Sequence, residues 1–172
     1  MTNGVTSVLE APMATDTSWF AYGATRPTAL SPQPRVALLT EEARLEVTLT
    51  GNDAGWVLPT LQAIAGLCRL DRDWDSYGGL PVRTDQLQSA LTFIQYLSGC
   101  DIPTPMVVPT NDGGIQFEWD LPAAEIEIRT APGRHISSCI EGRNGRPTSE
   151  TIPLNDPSRL LALAKLLAQR AG

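Results

Sequence analysis

Histidine occurs once in this chain, at His135, and cysteine three times, at Cys68, Cys100 and Cys139, with no Cys-x-x-Cys pair. Zinc needs about four ligands, commonly in paired spacings, so the usual zinc frameworks are excluded. An odd number of widely spaced thiols reads as buried, reduced cysteine in a cytoplasmic protein. Long apolar runs are also missing: no stretch approaches the roughly eighteen residues that a membrane helix requires, and no membrane association is expected. The start, Met1-Thr2-Asn3-Gly4-Val5, has neither the basic region nor the apolar core of a secretory signal. Basic residues are in deficit, 13 Lys and Arg against 19 Asp and Glu, giving a net charge of −6. Non-specific nucleic-acid binding relies on Lys and Arg neutralising phosphates, so the charge argues against a nucleic-acid partner. It permits a basic protein partner. No Gly-rich phosphate loop occurs, and no cofactor is expected.

What is present suits one domain with a tail. The chain has 172 residues, 42% of them hydrophobic. Residues 1–34 are rich in Thr, Ala, Ser and Pro and lack a sustained period, which predicts a mobile N-terminal arm. Trp19, Phe20 and Tyr22 interrupt it and are expected to dock on the domain. Residues 35–172 form the expected single α+β domain.

Within it, Arg44 to Thr50 alternates and reads as an edge strand. Pro59 suits a helix's first turn, with Leu61, Ile64, Ala65 and Cys68 as its apolar stripe. Thr84 is placed as the cap of a second helix, with Asp85 in the first turn and Leu87, Ala90, Leu91, Ile94 and Leu97 inward. Met106-Val107-Val108, preceded by prolines, reads as an edge strand. Ile115, Phe117 and Trp119 alternate with Gln116, Glu118 and Asp120, and Ile126 and Ile128 with Glu125, Glu127 and Arg129. Joined by Leu121-Pro122-Ala123, these runs make a hairpin with one wet face. Pro132-Gly133 turns the chain into Arg134 to Ile140, and Asn144-Gly145 is a strong signal for a further hairpin into Thr148 to Ile152. Asp156-Pro157 starts a last helix. The fold class expected is α+β: an antiparallel meander of four to five strands with helices packed on one face.

Two stretches carry a resemblance. Trp74-Asp75-x-Tyr77-Gly78 and Pro109-Thr110-x-Asp112-Gly113-Gly114-Ile115-Gln116-Phe117-Glu118-Trp119 resemble a pattern of small uncharacterised bacterial proteins. There a W-D-x-Y-G turn precedes a helix, then a P-T-x-D-G-G-(I/V)-Q-(L/F)-E-W strand and an L-E-I-E-I strand, matched here by Ala124-Glu125-Ile126-Glu127-Ile128. The resemblance spans about residues 60–141 and implies no activity, cofactor or catalytic residue.

The candidate site residues form two groups. Glu118, Glu125 and Glu127 project from the wet face with only Arg129 to balance them. Like charges opposed on a sheet cost up to about 1 kcal/mol, which points to a docking face for a basic partner. A carboxylate pair for acid–base work or a divalent cation is the enzymatic alternative, and a merely solvated face the plainest one. The loop Asp73, Trp74, Asp75 and Tyr77 could bind a ligand. Commonly such aromatics plug a core end while the aspartates bond local backbone. His135 and Cys139 lie four residues apart in one strand, roughly 13 Å, too far for a dyad within it. The leading expectation is a non-catalytic cytoplasmic interaction module: an accessory, antitoxin-like or regulatory partner of another bacterial protein. The alternative is a small enzyme or metal-binding protein using the Glu118/Glu125/Glu127 face or the Asp73–Asp75 loop.

Overall fold

A computed structural model of the chain describes residues 6–8, 33–50, 53–143 and 145–171. It contains eight strands and three helices: β1 (Thr6–Val8), β2 (Arg35–Leu39), β3 (Arg44–Thr48), α1 (Val57–Leu67), α2 (Thr84–Leu97), β4 (Met106–Pro109), β5 (Ile115–Leu121), β6 (Ala124–Ala131), β7 (His135–Gly142), β8 (Thr148–Pro153) and α3 (Pro157–Ala171). The class is α+β, as the alternation implied. The main sheet is an antiparallel five-stranded meander in the order β4-β5-β6-β7-β8.

One face of the meander is apolar by alternation. Ile115, Phe117, Trp119, Ile126, Ile128, Ile136 and Ile152 are all buried. Helix α2 meets β5 and β6 there, and α3 packs beside α2. The ring of Phe93 from α2 lies 5.2 Å from that of Phe117. Trp119 is 3% exposed, and its indole Nε1 donates to the Pro103 carbonyl at 2.8 Å. The expected inward set of α2 is buried in full.

The second, smaller sheet was only partly foreseen. Strands β2 and β3 pair antiparallel, burying Val36, Leu38, Leu45 and Val47. Helix α1 packs against β2 and β4, so it stands between the two sheets in contact. Strand β3 was expected at an edge but is central, because β1 pairs with its other side. Thr6–Val8 falls within the segment expected to be a mobile arm. Trp19, Phe20 and Tyr22 lie outside the described residues.

Two local expectations need correction. Thr84 is not the cap of α2: Arg83 occupies that position in extended backbone, and Thr84 is the first helical residue. Its hydroxyl is instead 2.8 Å from that of Thr40, tying the helix start to the β2–β3 turn. The three thiols are free, as expected, but half-buried rather than fully buried. By contrast Asp156 does cap α3, accepting from the Arg159 amide at 3.2 Å.

Candidate functional site

The wet face of the meander is set by register. The turn between β5 and β6 uses only Pro122 and Ala123, because Leu121 pairs with Ala124. Of the pairings that the loop length left open, Glu118 stands opposite Glu127, and Asp120 opposite Glu125. Glu125 in turn pairs with Glu141 of β7, and Glu127 with Cys139. The outer face therefore carries two acidic rows. One runs Asp120, Glu125, Glu141; the other contains Glu118 and Glu127, with Met106 of β4 beside Glu118. Glu118 is half-buried and accepts from the Gln116 amide at 2.8 Å, while Asp120, Glu125, Glu127 and Glu141 are exposed. Sequence reasoning missed Glu141 as a member, although its place in the alternation of His135, Ser137 and Cys139 would have found it.

Arg129 shares this face but not its glutamates. It stands in the next row, opposite Gln116 and Ser137. Its guanidinium lies 2.6 Å from the Asp112 carboxylate. Burial pushes the Asp112 carboxyl up, but the Thr110 hydroxyl and the Arg129 charge outweigh it and hold the group below its ordinary range. Arg129, the one Lys or Arg among the outward residues of β5, β6 and β7, is thus already engaged.

Beside the acidic rows the sheet has a gap. Strand β4 begins at Met106, opposite Glu118, whereas β5 continues to Leu121. Where Pro103 and Thr104 run past the unpaired end of β5, a groove of about 430 Å³ opens. Its walls include Met106, Trp119, Glu118, Asp120, Glu125 and Glu127. Met106 is 61% exposed there.

The second candidate group is a self-contained turn. Asp75 Oδ1 accepts from the amides of Tyr77 at 2.9 Å and Gly79 at 2.8 Å. Those two bonds hold the Asp75 carboxyl below its ordinary range. Asp73 Oδ1 accepts from the Gly78 amide at 2.7 Å. Trp74 is half-buried, with its indole donating to the Leu80 carbonyl at 3.2 Å. The aspartates and Trp74 act locally, as such turns commonly do. Tyr77 does not plug the core: it is 94% exposed.

The turn is also sewn to the β4–β5 connection. The Leu80 amide donates to the Asn111 carbonyl at 2.9 Å, and the Arg83 amide to Gly113 at 3.0 Å. The segment leading from this turn into α2 is therefore joined to the β4–β5 connection, although α2 separates them in sequence.

Among the described residues, no three His, Cys, Asp or Glu side chains are grouped so as to hold a metal ion. Burial pushes the Cys68 thiol up to about 11, which leaves it unreactive at neutral pH. No helix of the described residues is long and apolar enough to cross a membrane. No protein-family model matches this chain, and neither a curated protein nor a solved structure matches it.

Proposed function

We propose that the protein is a non-catalytic interaction module whose open sheet face meets a basic protein partner. One observation carries this reading: Glu118 faces Glu127, and Asp120, Glu125 and Glu141 form a row, while Arg129, the one Lys or Arg among the outward residues of β5, β6 and β7, is held by Asp112. Opposed like charges cost stability, up to about 1 kcal/mol per pair. A surface that keeps them gains nothing in the free protein and gains steering toward a cationic partner. Among the described residues nothing covers this face. An accessory, antitoxin-like or regulatory role in a bacterial cytoplasm fits such a surface.

The test uses a double variant, Glu118→Gln with Glu127→Gln. The fold should be retained or slightly stabilised, since a repulsive pair is removed. Association with a partner purified by pull-down from the host should slow several-fold, and its salt dependence should flatten. An unchanged rate and salt slope would remove the proposal and leave a plain solvated face. Magnesium, calcium and manganese titrated in a melting assay address the metal alternative: an ion that raises the wild-type midpoint but not that of the double variant would favour it.

A further inference from the structure

We infer that the groove beside the start of β4 receives an arginine side chain from that basic partner, as the anchor of the docked face; this rests on the reading just proposed. The groove combines two chemistries that few side chains match together. Met106 and Pro103 supply apolar wall, and Glu118, Asp120, Glu125 and Glu127 supply carboxylates. No Lys, Arg or His is among its lining residues. An occupant must be apolar along its length and cationic at its end.

Lysine and arginine both have that build, with an aliphatic stem under a charged head. Geometry separates them. Glu118 and Glu127 are directly opposed across β5 and β6, and Asp120 and Glu125 across the same strands two residues on. Directly opposed residues have Cβ atoms about 5 Å apart, so two carboxylates are presented side by side. A planar guanidinium with five donors can bond both at once, whereas an ammonium is a point charge. The stem then lies on Met106, which is otherwise an apolar side chain left in water at 61% exposure. Charge complementarity and the groove's place at the edge of the acidic rows both favour this occupant over an apolar or acidic one.

The experiment uses two labelled octapeptides, alternating Arg-Thr and alternating Lys-Thr, and measures binding by fluorescence anisotropy at low and moderate salt. Wild-type protein should bind the arginine peptide roughly five-fold more tightly than the lysine peptide. Thr104→Trp fills the groove from an exposed position outside the strands. It should abolish the arginine preference and leave salt-dependent binding of both peptides. Met106→Trp fills the groove from the sheet side and should do the same, which guards against either variant failing to fold. Glu141→Gln lies on the acidic face but outside the groove lining. It should weaken both peptides equally and keep the preference. Equal affinities in the wild type, or a preference that survives both blocking variants, would overturn the groove assignment while the acidic face stood. Absence of salt-dependent binding of either peptide at low salt would overturn the acidic-face reading and the groove with it.

Discussion

Arg129 is paired with Asp112, at 2.6 Å, and not with either glutamate of the neighbouring row. Both side chains are substantially exposed, so the pair itself contributes little to stability, about 0–1 kcal/mol. Its effect lies in the field: a guanidinium engaged by Asp112 does less to offset the neighbouring row of Glu118 and Glu127. Arg129→Gln should leave the thermal midpoint nearly unchanged. It should tighten low-salt binding of a basic peptide several-fold, because a cation leaves the outward face of β6 and Asp112 is freed. Unchanged peptide affinity would show that the rows do not act as a common field.

Trp119 and Tyr77, two of the aromatic residues in the resembling stretches, differ in kind. Trp119→Ala removes a buried ring and the partner of the Pro103 carbonyl. A loss of roughly 3–5 kcal/mol in urea denaturation is expected. Tyr77→Ala removes a ring that is almost fully in water. Its change should stay within about 0.5 kcal/mol. A large loss for Tyr77→Ala would mean that the ring packs on something beyond the described residues.

Glycines at two turns separate strain from collision. Gly78 has φ +91 with open space where a Cβ would stand. Gly78→Ala should cost only the left-handed penalty, roughly 1–2 kcal/mol. Gly113 has φ +82, and a Cβ there would meet the Pro81 carbonyl oxygen at 2.7 Å. Gly113→Ala should cost at least about 1 kcal/mol more than Gly78→Ala, since backbone must move. Equal losses in parallel denaturation curves would deny the tight joint at Gly113.

Acid should weaken the fold through four carboxyls. Those of Asp75, Asp85, Asp112 and Asp156 are all held below their ordinary range. A depressed native pKa means that the unfolded chain takes up its proton first. The stabilisation is complete above the unfolded value of about 3.9 and is lost as pH falls through the lower native values. Melting curves should therefore be flat near pH 6 and drop below about pH 4. Asp156 is held down first by the Ser158 hydroxyl and then by the Arg159 amide. Asp156→Asn keeps a capping side chain and should show a shallower drop. A variant curve parallel to the wild type would exclude Asp156 from the acid response.

The meander was readable in the sequence because period-two alternation is strict in β5 and β6. Its register was not readable. Glu118 could face Glu125 or Glu127 until the turn proved to hold two residues, and one residue more would have moved every pair. Strand β2 went unread although Val36 and Leu38 alternate with Arg35, Ala37 and Leu39, since a short strand beside a proline-rich stretch gives a weak signal. The acidic face was legible in outline from Glu118, Glu125 and Glu127. Glu141, the engagement of Arg129 by Asp112, and the groove at Met106 depend on strands meeting across distance, which no local pattern encodes.

The joint between Leu80 and Asn111, and between Arg83 and Gly113, has a consequence for hydrogen exchange. Loop amides ordinarily exchange fast because they meet water. Those of Leu80 and Arg83 are bonded to carbonyls of another segment, and the chain between holds helix α2. Releasing them requires that the helix start part from the β4–β5 turn. Their protection should track that of the α2 and β5 amides, so that loop, helix and hairpin open as one cooperative unit.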